Sequence, residues 1–320
     1  MPEGSAGSRG IGAADLALLI FLGVLWGTAF LFITTGLKSF SPLLLVAIRF
    51  DISGSVLLAI ALARKRGPPI PRGRRSWTSI VFAAVFNVTG YHALLFSAQV
   101  NTEAGIAAII VGMNPVLTTV FSRALLKDER VGAGGVLGLG LGMAGIVLLA
   151  TFRGGNLLDV KGVAELLIVG AIASWSFGSV LVRRTGHDMD LFAFIAWQSL
   201  AGAGILHVTS LLLEGGGHAV FDPLGVASLV YLAIISSALG FAIYFTLLSR
   251  IGPIRLNFVS QVAAAVAAVG GLLVFQENPG LRGAGAFALI AVGLVFVTQP
   301  QILRTRRSRQ TPRPGGGDPP

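Results

Sequence analysis

The residues of this chain that carry the most chemistry lie where charge and polarity are expensive. Arg49 stands about seven residues inside an apolar run, a depth of about 10 Å at 1.5 Å per residue. A guanidinium at the centre of a membrane helix costs about 2.5–3.5 kcal/mol, so it must face protein or a wet cavity. Two uses stay open from spacing alone. Arg49 binds a substrate carboxylate or gates an outer mouth, or it is an anchor that snorkels outward or pairs with Asp51. Asp51, two residues on, points away from Arg49 around the helix and is expected to meet a neighbouring helix. Trp26 and Phe30 are four apart and share a face, as are Asn87 and Tyr91; Ser236, Ser237, Gly240 and Tyr244 recur at helical spacing, as do Asn257, Ser260 and Gln261, while Asn114 adjoins Pro115. Polar groups at depth either bond helix to helix, worth about 0.6 kcal/mol, or face water and substrate. Their convergence predicts a central polar pocket. Its candidate residues are Trp26, Phe30, Arg49, Asn87, Tyr91, Asn114, Trp175, Ser237, Tyr244 and Gln261.

Other groups have plainer readings beside their chemical ones. His92 and His207 fall inside apolar runs and could relay protons, but neither has a carboxylate at helical spacing, which leaves helix packing as the default. Asp15 and Glu165 are expected to begin helices, where a carboxylate suits the positive end of the dipole. Asp128, Glu129 and Glu277 lie at run edges and are expected to cap or brace. With no cysteine, disulfides, thiolate metal sites and cysteine nucleophiles are excluded. No Walker A, HExxH or G-x-S-x-G pattern appears, so ATP-driven pumping and the common hydrolase mechanisms lack a basis, and no catalytic residue, metal or cofactor is expected.

The elements that must position these groups follow from composition. The 320 residues are 54% hydrophobic and 12% charged, with mean hydropathy +0.81, against about 25% charged residues in a soluble domain. Apolar runs at 14–36, 42–63, 77–99, 104–124, 133–152, 162–182, 191–213, 226–249, 254–275 and 283–303 predict ten transmembrane helices and an all-α membrane protein. The first run is read as a retained helix rather than a cleaved signal. The net charge of +10 sits in short loops beside apolar runs, which argues against nucleic acid as a partner. Nineteen lysines and arginines fall on one side and four on the other, so both termini are expected in the cytoplasm. A basic tail from Arg304 is expected to be disordered. Gly138 and Gly142 form a GxxxG seam that fits packing within the bundle or between two copies, leaving a homodimer open.

One constant shift relates the two halves. Trp26 and Trp175 are 149 residues apart, and the same shift pairs Val81 with Val230, Phe96 with Phe245, Gly134 with Gly283 and Asp128 with Glu277. Five spans per half is an odd number, so the second half must enter the membrane upside down. Trp26-Gly27-Thr28-Ala29-Phe30, Arg49-Phe50, the Asn114-Pro115-Val116 segment ending at Asp128-Glu129, and Gly271 to Glu277 resemble, in order, the motifs of the EamA-like family of the drug/metabolite transporter superfamily. The resemblance implies two inverted five-helix repeats, 14–152 and 162–303, between tails at 1–13 and 304–320. It also implies transport of small organic metabolites, often outward export, without ATP hydrolysis. One departure is Ala264, opposite Pro115, which puts a kink in the ninth helix in doubt. The expectation is a secondary transporter in the cell (inner) membrane, moving a small molecule such as an amino acid by alternating access through a cavity between the halves. Proton coupling stays open. A non-transporting receptor or assembly protein and a membrane-embedded enzyme are the alternatives.

Overall fold

A computed structural model of the chain describes residues 12–64, 67–125, 160–256 and 258–277, with scattered positions at 137–145 and 280–292. Regular structure among them is helical, and Phe40 and Ala219 form an isolated antiparallel bridge. Seven helical spans are long and apolar enough to cross a bilayer, and Val259–Phe275 is a shorter apolar helix. The expected spans 133–152 and 283–303 fall largely outside the described residues, as do Asp128, Glu129, Asn257, Arg282, Gly138 and Gly142. Seven long spans rather than ten are therefore what the structure describes.

The helices are α1 (Ala13–Gly36), α2 (Pro42–Arg64), α3 (Gly73–Phe82), π1 (Ala83–Gly90), α4 (Tyr91–Gln99), α5 (Ala104–Val111), α6 (Asn114–Leu125), α7 (Val160–Thr185), α8 (Leu191–Leu213), α9 (Pro223–Val230), π2 (Tyr231–Leu239), α10 (Gly240–Leu256) and α11 (Phe258–Phe275). The 24 residues of α1 extend roughly 36 Å at 1.5 Å per residue, enough for a hydrocarbon core of about 30 Å. It is apolar all round: Leu19, Leu22 and Leu25 are buried while Leu16, Ile20 and Phe21 face outward, the pattern of a helix with no water-facing side.

Helix ends follow local chemistry. Asp15 lies in the first turn of α1, whereas Glu165 stands sixth in α7, inside the helix and buried, so its expected place at the start is corrected. Asp190 and Asp222 each accept two backbone N–H groups at the starts of α8 and α9, with Pro223 in the first turn of α9. Hydrogen bonds from Ser39 and Gly225 hold the Asp222 carboxyl below the usual carboxylate range. The fourth span breaks at Gly112 and Met113, just ahead of Pro115, whose ring nitrogen has no hydrogen to donate. Its counterpart Ala264 lies within uninterrupted α11, so the ninth helix carries no such break.

Moving each bound by 149 places carries 13–36 to 162–185, against 160–185 for α7, and carries 42–64 onto 191–213, the bounds of α8. It also carries 83–90 to 232–239, within π2 at 231–239. The mates α2 and α8 pack on each other in opposite senses: Leu43 N–H bonds Glu214, Asp51 meets His207, and Gly54 abuts Leu200. Partners are exchanged in the same way. Gly27 lies against Ala263 where α1 meets α11, and Ser176 bonds Asn114 where α7 meets α6, each residue 149 from its counterpart. Small residues at these crossings let backbones approach without the hydrophobic drive that lipid removes.

Candidate functional site

A cavity of about 140 Å³ lies inside the bundle, bordered by α1, α2, α4, α5, α6, α7, π2, α10 and α11. Four pairs of its lining residues are separated by 149: Trp26 with Trp175, His92 with Phe241, Val111 with Ser260, and Asn114 with Ala263. The cavity therefore sits where the two halves meet. Its walls are chiefly apolar and aromatic, the general character of small-molecule sites.

Arg49 breaks this symmetry. Its counterpart under the shift is Gln198, which does not line the cavity. Arg49 is 6% exposed, its Nε–H donates to Ser237 Oγ at 3.0 Å, and Ser237 in turn donates to the Leu232 carbonyl at 2.9 Å. That second bond reaches back five residues, the step of the π-helical turn that carries Ser237. The guanidinium carbon stands 5.3 Å from the Phe50 ring centre and 5.6 Å from that of Phe96, within cation–π range. Among the described residues no carboxylate lies within ion-pair distance of Arg49. The site is thus a cation with aromatic and hydroxyl neighbours and, among the described residues, no counter-ion.

The aromatic walls are fixed from behind. Trp26 Nε1–H donates to the Ser236 carbonyl at 3.1 Å, and its ring stacks on Tyr244 at 5.4 Å. Tyr91 packs on Trp175 at 5.2 Å and on His92 at 4.7 Å, while His92 also meets Phe50 edge-on at 4.6 Å. Asn114 Oδ1 accepts from Ser176 Oγ at 2.8 Å. The Phe30 carbonyl accepts from Gln99 Nε2 at 2.7 Å.

Of the ten residues picked out from the sequence, Trp26, Phe30, Arg49, Tyr91, Asn114 and Trp175 line the cavity. The remaining four do not line it. Ser237 holds Arg49, Tyr244 backs Trp26, Asn87 bonds Ser179 at 2.8 Å, and Gln261 reaches the Gly112 carbonyl at 3.5 Å. His92, Ser236, Phe241 and Ser260 line it without having been picked. Ser236 and Ser260 belonged to the polar stripes, and Phe241 was reachable only as the shift counterpart of His92. Asp51 meets a neighbouring helix as expected, and its partner is His207, a carboxylate contact that helical spacing on one helix could not supply.

Comparison with known proteins adds a second kind of observation. The model of the EamA-like transporter family matches twice, over residues 15–151 and 162–299. The chain is 28% identical over 293 residues to the uncharacterized transporter YvbV of Bacillus subtilis, covering 92% of each chain. It is 28% identical over 281 residues to the uncharacterized inner membrane transporter YedA of Escherichia coli K12, covering 88% of this chain and 89% of that one. It is 27% identical over 304 residues to a probable amino-acid metabolite efflux pump of Salmonella typhimurium, covering 91% and 97%. A solved crystal structure aligns with a TM-score of 0.63 and 26% identity, over 93% of this chain and 100% of that one.

Proposed function

The chain belongs to the EamA-like transporter family, and from that premise we propose that this multi-pass membrane transporter is a secondary exporter of small organic solutes carrying a carboxylate, amino acids among them. The solute sits in the cavity with its carboxylate on Arg49 and its body against Trp26, Phe30 and Trp175. The reading includes ten spans in two inverted repeats, 14–152 and 162–303, with both termini cytoplasmic and alternating access by rocking of one half against the other. What supports inversion is the opposite sense of the mates α2 and α8, since halves set the same way up would place their second helices in the same sense.

The observation that carries the substrate class is Arg49, the one buried cation among the described residues. Arg49 has spare donors at its Nη groups, which make no hydrogen bond among the described residues, and a cavity beside them. A carboxylate there supplies the missing charge in bidentate geometry, the form in which arginine binds carboxylates best. The relative from Salmonella whose printed name is a probable amino-acid metabolite efflux pump agrees in class.

The test is flux in proteoliposomes loaded with a radiolabelled panel of L-amino acids, their methyl esters and neutral sugars. Carboxylate-bearing members are expected to exchange faster than their esters by about tenfold or more, the worth of one charge-assisted bond. Flux of none of the panel would overturn the reading, and esters moving as fast as the free acids would overturn the role of Arg49.

A further inference from the structure

The cavity does not use a half-exposed carboxylate–imidazole pair that stands part-way along α2 and α8. His207 Nε2 lies 2.6 Å from Asp51 Oδ2, and the two side chains are 44% and 45% exposed. Asp51 is nine residues past the start of α2 and His207 six short of the end of α8, depths of roughly 14 and 9 Å at 1.5 Å per residue. Both therefore lie more than one helical turn inside spans long enough to cross a hydrocarbon core of about 30 Å. The pair stands on the outward side of the α2–α8 seam, beside exposed Ser55, Gly204 and Val208. Arg49, two residues earlier, turns the other way to Ser237. We infer that Asp51 and His207 form the proton-binding site that couples solute movement to a proton gradient, an assignment that rests on the transport reading above.

Proton accounting fixes what the pair can do. Unloaded, the pair is a neutral imidazole whose Nε2–H donates to the Asp51 carboxylate, with a net charge of minus one. A second proton, taken up at Nδ1 or by the carboxylate, gives an imidazolium facing a carboxylate or a neutral imidazole facing a carboxylic acid, neutral overall. The proton arrives from water as a new N–H or O–H bond and leaves to water on release. The unloaded, charged form is costly against hydrocarbon, while the loaded, neutral form tolerates it. Loading therefore biases the bundle toward arrangements that turn the pair to lipid, and unloading toward those that wet it.

Its position makes that bias matter. The pair bridges α2 in one half to α8 in the other, helices related by the 149-residue shift. Movement of one half past the other must shear this contact, and a proton that changes its strength is linked to the movement.

Other ionisable groups on the packed elements are engaged elsewhere. Glu214, two turns along α8, accepts the Leu43 and Leu44 N–H groups. His92 and Tyr91 from α4 face the cavity, and Tyr231 from π2 bonds Thr28. Asp222 before α9 bonds Ser39, Asp190 caps α8, and Arg75 from α3 bonds the Thr185 carbonyl at the other end of the bundle. Arg64 at the end of α2 lies over Phe192. Arg74 sits at the start of α3.

The test uses the full chain in liposomes and the most rapidly carried labelled amino acid of the panel. In the parent, a gradient of about 1.5 pH units is expected to drive accumulation roughly tenfold above the no-gradient level. Asp51→Asn and His207→Gln are expected to abolish that response. They should keep gradient-free exchange of labelled for unlabelled solute, and binding read by quenching of Trp26 and Trp175 fluorescence. Asp51→Glu should recover part of the response. Variants as gradient-driven as the parent, or a parent that exchanges solute but ignores the gradient, overturn the proposal. Loss of exchange together with the gradient response in both variants overturns it too, reducing the pair to a helix clamp. A parent that carries nothing sinks the transport reading itself, a distinguishable result.

Discussion

Arg49 shows how one side chain can be fixed and still be available. Ser237 takes Nε–H, the Phe50 and Phe96 rings lie within cation–π range, and the residue still lines the cavity with no bond at its Nη groups among the described residues. Removing the guanidinium should cost the fold little, because Ser237 keeps its own bond to the Leu232 carbonyl. Arg49→Gln installs the residue that the second half carries at Gln198. It is expected to raise KM for a carboxylate-bearing solute by about 10- to 100-fold, with unchanged KM for its methyl ester and an unchanged melting temperature. Arg49→Lys keeps the charge but has no planar fork to serve Ser237 and a ligand together, so an intermediate KM is expected. Proteoliposome kinetics with the acid and ester side by side check both. Arg49 was legible in the sequence because an intramembrane charge is rare whatever surrounds it. Asp51 and His207 were visible singly, but their pairing depends on the rotation of two helices 156 residues apart in sequence, which packing alone decides.

Helices in this bundle are positioned by what their small residues admit. A Cβ on Gly27 would fall 2.6 Å from the Ala263 carbonyl oxygen and 2.7 Å from Val266 Cβ, so α1 and α11 would have to part. Gly27→Ala is expected to cost about 1–3 kcal/mol through this overpacking. Gly204→Ala, with nothing within 4 Å of its Cβ, should leave stability unchanged or raise it through helix propensity. Thermal unfolding of the two variants in detergent separates these outcomes, and equal melting temperatures would remove the close crossing as a determinant of packing. Helix bounds were largely legible: the apolar runs at 42–63 and 191–213 lie within a residue of Pro42–Arg64 and Leu191–Leu213. The π-helical turns at Ala83–Gly90 and Tyr231–Leu239 left no mark, because a five-residue bond step uses the same apolar residues as a four-residue one. They recur at corresponding places, just before Tyr91 and Gly240, next to cavity-lining Tyr91, His92 and Phe241.

At the scale of the whole chain, the proposed alternating access requires contacts between the two halves to break before the cavity can change sides. At the end of the bundle where α1 gives way to α2, several bonds tie the first half to the second. Ser41 N–H donates to the His218 carbonyl at 3.0 Å, Ser41 Oγ meets His218 Nδ1 at 2.8 Å, Val220 N–H donates to the Ser39 carbonyl at 2.7 Å, and Glu214 caps the start of α2. Glu277, expected to brace the bundle, accepts the Ala104 and Gly105 N–H groups at the start of α5. These bonds join backbone to backbone, side chain to side chain and carboxylate to helix terminus, and all of them would have to break if the halves separated at this end. The chain has no cysteine of its own, and a pair introduced as Ser41→Cys with His218→Cys would stand within bridging reach, since the two backbones already share a hydrogen bond. Oxidation is expected to lower solute exchange by about tenfold or more, and a reductant to restore it, because a covalent tie at this end removes one of the two states that alternating access requires. Binding measured by tryptophan quenching should survive oxidation, the cavity being intact in the tied state. Full exchange by the oxidised, cross-linked protein would mean that this end stays shut throughout the cycle, and that the solute leaves by another opening.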